Sequence, residues 1–188
     1  GRARSDCYHL LKGSEWDPWE WSLMRSRRCR VVAMRDRLTA RGLRRKGVDA
    51  LSPGNPMMDG LRIHPLPSAL ERCRRVLLLC GSRMPEAQRN LQRLVRSAMA
   101  LSGRVPMALL VAVGAQPDSE ALSDSLEQLG FRKSLPPSDQ LRAEACWVKG
   151  ACLVLIGRGC FAQWAGWAEA GIATAGTATE QLVGLGIP

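Results

Sequence analysis

The feature that most constrains this chain is an unbroken apolar run, Val76-Leu-Leu-Leu-Cys80, followed by Gly81-Ser82-Arg83 and a long helical stretch. A strand apolar at every position is buried on both faces, which is how strands of a parallel sheet read. Pro85 and Glu86 open the helix, which is predicted to reach Leu101, with Leu91, Leu94, Val95 and Ala98 as its core stripe and Gly103 as its stop. The same unit recurs three times. Pro106 to Val113 is a buried strand, and Asp118 starts a helix ending at Gly130. Trp147 to Ile156 holds an apolar strand, and Phe161 to Ala170 a helix with Trp164 and Trp167. Ile172 to Ala175 is a short strand, Gly176-Thr177 a turn, and Ala178 to Leu185 a helix. Strands alternating with helices at this spacing predict an α/β fold with a doubly wound parallel sheet. Residues 131–145, with Pro136-Pro137 as a loop, fit neither period.

The N-terminal part uses the same grammar on a smaller scale. Residues 1–15 read as irregular, with Gly13-Ser14 as a turn. Asp17-Pro18 is a helix start, and Trp16, Trp19, Trp21, Leu23 and Met24 give an apolar face up to Arg28. Three tryptophans this close serve either as core anchors or as a stacking platform. Cys29 to Met34 reads as a strand. Asp36 caps a helix to about Lys46, with Leu38, Ala40 and Leu43 facing inward, and Gly47 sits at the left-handed cap position. Val48 to Leu51 is another strand. Prolines 53, 56, 65 and 67 with Gly54 and Gly60 then mark a hinge, placing a domain boundary between residues 62 and 63.

Composition sets the class of partner. The chain has 188 residues, a net charge of +10 and seven cysteines. Residues 1–50 carry thirteen Lys and Arg against six Asp and Glu, so most of the excess is N-terminal. Such a surplus suits phosphorylated substrates, an anionic membrane face or nucleic acid. The cysteines form no C-x-x-C pair, which argues against a zinc site or a disulfide framework and for buried thiols in a cytoplasmic protein. No metal and no cofactor are implied. The start shows no signal peptide, no stretch is apolar enough to span a membrane, and the absence of an initiator Met marks a piece of something longer.

The candidate site lies where ligands of doubly wound sheets lie, beyond the carboxyl ends of the strands. Two glycine turns are predicted there, Gly81-Ser82-Arg83 and Gly176-Thr177. A glycine lets a ligand approach the backbone, and the helix that follows presents free N–H groups and a positive end to a phosphate. Thr177 and Thr179 add hydroxyls. Arg83 puts a permanent guanidinium where a diphosphate would sit. The hinge segment Gly54-Asn-Pro-Met-Met-Asp59 adjoins this edge. Together these residues predict a site for an anionic nucleotide ligand between two domains.

Three motifs carry a resemblance. Leu78-Leu-Cys-Gly-Ser-Arg-Met-Pro-Glu86 resembles the strand and G-S-R-x-x-E turn of lipid-A-disaccharide synthase. Ala175-Gly-Thr-Ala178, with Gln181 and Pro188, is similar to its S-G-T-A…E…P segment, and Gly54-Asn-Pro-Met-Met-Asp59 resembles its interdomain G-H-x-M-x-D. The cyanobacterial branch related to that synthase is closer still: it reads G-N-P-M-M-D and G-T-A-T-E-Q, and residues 23–29 and 35–40 are like its upstream stretches. Two positions depart from the synthase. Its acid before the last helix falls at Gln181, with Glu180 just before, and Cys80 stands where it has Pro.

The resemblance implies a GT-B glycosyltransferase lacking both ends, built of two Rossmann-like domains. Residues 1–62 would end the acceptor domain and residues 63–188 would begin the donor domain. It implies that Gly81, Ser82, Arg83 and Glu86 lie by the donor's diphosphate or sugar. Gly176 and Thr177 would cradle the diphosphate, Glu180 and Gln181 would lie nearby, and Asn55 and Asp59 would line the cleft. A UDP-sugar would be the donor and a lipid-linked or sugar molecule the acceptor, as in lipid A biosynthesis. Such chemistry needs a general base on the acceptor hydroxyl. That base is expected outside this chain, with Asp6 and His9 as weak stand-ins and His64 as a linker residue, which leaves open whether the fragment is active alone. The basic, tryptophan-bearing N-terminal part would rest on the anionic inner face of the membrane. Two other readings stay open: a UDP-sugar 2-epimerase of the same architecture, and a basic nucleic-acid-binding module. Against the module, Arg and Lys are not interleaved with stacking aromatics on one stripe.

Overall fold

The computed structural model describes residues 16–61, 64–101, 105–174 and 176–188. The expected turn at Gly13-Ser14, the helix stop at Gly103, and Asp6, Cys7, His9 and Ala175 lie outside the described residues. The chain separates into two compact units, Gly1–Asp59 and Gly60–Pro188.

In the first unit, helix α1 runs Pro18–Met24, shorter than the apolar face to Arg28 suggested. Asp17 is its N-cap, Pro18 fills the first turn, and the Glu20 carboxylate accepts the Asp17 N–H. Strand β1 is only Val32–Ala33, β2 is Ala50–Leu51, and the two pair in parallel. Between them α2 spans Arg37–Arg45. Asp36 caps it, its carboxylate accepting from Thr39 N (2.8 Å) and Thr39 Oγ1 (2.7 Å). These bonds hold the Asp36 carboxyl below the ordinary carboxylate range. Among the described residues its core is Val32, Ala40, Leu43, Val48 and Ala50, with Trp16, Trp21, Met24 and Met34 packed against it. Two of the three clustered tryptophans are thus core anchors, while Trp19 is 63% exposed. Leu38 does not face inward as expected; it is 72% exposed. It lies two residues from Ala40, about 200° around the helix, and so on the other side.

The second unit is an α/β sandwich around a six-stranded sheet. Its strands are β3 (Arg74–Leu79), β4 (Met107–Val113), β5 (Arg132–Ser134), β6 (Ala145–Lys149), β7 (Cys152–Arg158) and β8 (Ala170–Ala173), in the order β5-β6-β7-β4-β3-β8. Helices α3 (Glu86–Leu101), α4 (Ser119–Gln128) and α5 (Phe161–Trp167) connect them, and α6 (Thr177–Gly184) follows β8. β7, β4, β3 and β8 are parallel, but β5 and β6 are antiparallel. The sheet is therefore mixed rather than wholly parallel. The expected single strand Trp147 to Ile156 is a hairpin: Lys149 pairs with Cys152 across Gly150-Ala151, and Gly150 has φ +56°. Glycine at the first central position of a two-residue turn is what a tight hairpin requires.

Alternation along the strands sorts the core into two layers. Leu109, Val111 and Val113 of β4 join Leu91, Leu94, Val95 and Ala98 of α3 and Leu122 and Leu126 of α4. Ala108 and Leu110 face the other way, toward Trp164, Ala165 and Trp167 of α5 and Leu182 of α6. Two glycines make the second layer possible. A Cβ on Gly171 would lie 2.6 Å from Leu182 Cδ1, and one on Gly157 would lie 2.7 Å from the Trp164 ring. That ring is anchored by Trp164 Nε1–H donating to the Leu141 carbonyl at 2.9 Å.

Candidate functional site

The strand order decides where this fold can hold a ligand. From β3 the chain crosses through α3 to β4 on one side; from β7 it crosses through α5 to β8 on the other side of β3. β3 and β8 are thus the neighbours between which the winding reverses, and the crevice beyond their carboxyl ends is where open α/β sheets bind ligands. Their register pairs Leu79 with Ala173, so the two strands end level. Gly81-Ser82-Arg83 leaves one and the segment leading to Gly176-Thr177 leaves the other. The structure brings these two turns to adjacent strand ends, as the sequence predicts.

Side-chain bonds tie the two exits together. Leu79 O accepts from Thr174 N (3.1 Å) and Thr174 Oγ1 (3.2 Å). From α3, Asn90 Nδ2 donates to Cys80 O and to Thr174 Oγ1, each at 3.2 Å. One amide thereby bridges the exit of β3 to the exit of β8. Sequence reasoning missed both Asn90 and Thr174. The available signal was Asn90 itself, a residue that competes with the helical backbone, yet placed mid-helix beside the apolar stripe.

Around this node the predicted residues take definite positions. Gly81 has φ +86° and Gly176 φ +105°, a region that side chains other than glycine rarely enter. A Cβ at either would meet no atom within 4 Å, so the backbone there faces open space. Ser82, Arg83 and Glu86 are exposed, Glu86 in the first turn of α3, while the Arg83 carbonyl starts the helical ladder by accepting from Ala87 N at 2.8 Å. Gly176 is the N-cap of α6 and, as a glycine, brings no capping side chain. Thr177 and Glu180 are exposed and Gln181 is half-buried. Thr179 Oγ1 is buried without a hydrogen-bond partner among the described residues. Uncapped N–H groups, a positive helix end and a free guanidinium all favour an anion.

The remaining candidates belong to other segments. Asn55 and Asp59 belong to the first unit. Asn55 Oδ1 accepts from Met57 N at 3.1 Å, capping a short 3-10 turn over Pro56–Met58, and Asp59 is exposed at its end. His64 is exposed, and its carbonyl accepts from Trp167 Nε1 at 3.2 Å. Arg158, at the end of β7, is held by Glu144, by Gly114 O (3.0 Å) and by Pro117 O (2.9 Å), so it braces the β4 and β7 loops.

Cys80, Cys146, Cys152 and Cys160 are buried and Cys29 is exposed; all are free. Burial pushes the Cys80 and Cys152 thiols up to about 11 and raises those of Cys146 and Cys160. Cys80 therefore ends β3 as a neutral apolar group rather than a nucleophile. Among the described residues, no three His, Cys, Asp or Glu side chains are grouped to hold a metal ion, and no helix is long and apolar enough to cross a membrane. No protein-family model matches this chain, and no curated protein matches it significantly.

Proposed function

We propose that the second unit is the donor-binding part of a glycosyltransferase that moves a sugar from a UDP-sugar to a lipid-linked or sugar acceptor. One observation carries this reading. Two glycine turns, each feeding a helix and one bearing a free arginine, leave adjacent parallel strands where the winding reverses. The resemblance to lipid-A-disaccharide synthase supplies the choice of donor and acceptor.

In this reading the acceptor oxygen attacks the anomeric carbon while the bond to the UDP oxygen breaks, and its electron pair goes to the diphosphate. The acceptor proton passes to a base outside the described residues. Arg83 and the N-terminus of α6 stabilise the charge growing on the leaving diphosphate. Glu86 faces the sugar, and Glu180 or Gln181 the ribose. The cations of the first unit bring the protein to an anionic membrane face.

Calorimetric titration of UDP into the chain, beside Arg83→Ala, tests this. Expected are micromolar binding by the parent chain, about −8 kcal/mol, and a loss of about tenfold in the variant, the size of one charge-assisted contact. Equal binding by both would remove Arg83 from the site. No UDP binding by the parent would overturn the donor-site reading for this chain.

A further inference from the structure

The first unit has a cavity that the nucleotide reading does not use. It measures about 430 Å³ and is lined by Arg37, Leu38, Arg41, Arg44 and Ser52. Arg37, Arg41 and Arg44 stand at spacings of four and three residues, which is one face of α2. That face is opposite in character to the core side, where Ala40 and Leu43 are buried.

Three guanidiniums in a row repel one another, and like charges at this spacing weaken a helix. Proteins usually relieve such a row with carboxylates. Here none of the three is paired with a carboxylate among the described residues. The nearest acid in sequence, Asp36, is engaged by Thr39 N and Thr39 Oγ1. Arg44 is instead steadied by Nη1 donating to the Ala50 carbonyl at 3.0 Å, which holds the guanidinium at the cavity wall. Ser52 adds a hydroxyl, and Leu38 an apolar side chain 72% exposed. Among the described residues the row of arginines is left without a carboxylate, a broken local rule of the kind found at functional sites.

We propose that this cavity binds a phosphomonoester. A phosphate dianion supplies the charge the arginines lack, and guanidiniums bind it through paired N–H donors. The Ser52 hydroxyl completes the polar lining, and Leu38 offers contact to an apolar group beside the phosphate. The group is carried either by a small phosphorylated molecule or by a lipid headgroup. The site belongs to the first unit and does not rest on the function of the nucleotide loops.

The test uses the whole chain with inorganic phosphate as one probe. The others are vesicles of equimolar phosphatidylcholine and phosphatidic acid, with phosphatidylglycerol replacing phosphatidic acid as control. Arg41→Ala is the site variant. Arg45→Ala removes the same charge from a residue that does not line the cavity. Both arginines are exposed on a helix, so thermal unfolding is expected to be unchanged. Arg41→Ala is expected to weaken phosphate binding about tenfold, and Arg45→Ala less than about twofold. Retention on phosphatidic acid vesicles over phosphatidylglycerol vesicles, lost in Arg41→Ala, assigns the phosphate to a lipid. Phosphate binding without that preference assigns it to a soluble molecule. Equal losses in the two variants would reduce the cavity to general surface charge and overturn the proposal, as would failure of both probes. The UDP titration reads Arg83 and this comparison reads Arg41 against Arg45, so either can fail without the other.

Discussion

Cys80 shows how much a single residue's surroundings can set. Its side chain is fully buried at the end of β3, directly before the glycine that opens the candidate site. Burial disfavours the thiolate, lifting the thiol from 9.0 to about 11. The folded value lies above the unfolded one, so the stability this thiol contributes is complete below pH 9.0 and is lost as pH rises toward 11. By linkage the loss reaches about 2 kcal/mol at the upper end. Denaturant unfolding of the parent chain and of Cys80→Ala across this window isolates it from other groups titrating there. The gap between the two proteins is expected to shift against the parent by about 2 kcal/mol between pH 8 and 11. A constant gap would mean that Cys80 ionises alike in both states. Leu38 is the opposite case. A leucine in an amphipathic helix is expected inward, but the helix period sets Ala40 and Leu43 on the core side and leaves Leu38 outside.

At the level of elements, the site depends on one cross-link. Asn90 joins α3 to the exits of both β3 and β8, so it positions the two glycine turns. Asn90→Ala removes two hydrogen bonds but places the best helix former in mid-helix. Global stability is therefore expected to move by less than about 1 kcal/mol, while UDP affinity falls about fivefold as the turns lose their alignment. An unchanged UDP affinity would show that the turns are held by their own strands. What the sequence made legible follows the same line between local and distant causes. Asp17-Pro18, Asp36 and Asp118 announced helix starts, and Gly47 and Gly130 helix ends, because capping is decided within a few residues. The glycine turns were legible because strand, turn and helix are contiguous. The turn at Gly150-Ala151 was not, because a continuous apolar run hides where a chain reverses. Asn90 and Thr174 are 84 residues apart, and no local pattern brings them together. The three arginines around the cavity were legible only as surplus charge.

For the whole molecule, the two units differ in how much core each has to hold it. Among the described residues, the first is built on a two-stranded sheet and five buried apolar residues, two of them alanines. The second buries both faces of a six-stranded sheet beneath four helices. Apolar burial is the main favourable term in folding, and small cores leave small margins. The chain is therefore not expected to open as one two-state body. Native-state hydrogen exchange resolves the units. Amides of Arg37–Arg45 and of β1 and β2 are expected to exchange through openings of lower free energy than those of Leu77–Leu79, Leu109–Val111 and Val154–Ile156. Phosphate at saturating concentration is expected to slow exchange in α2 and leave β3 and β8 unchanged, whereas UDP is expected to protect the starts of α3 and α6. A single opening free energy shared by both units, raised equally by either ligand, would mean that the molecule is one cooperative body and that the two anion sites are coupled through it.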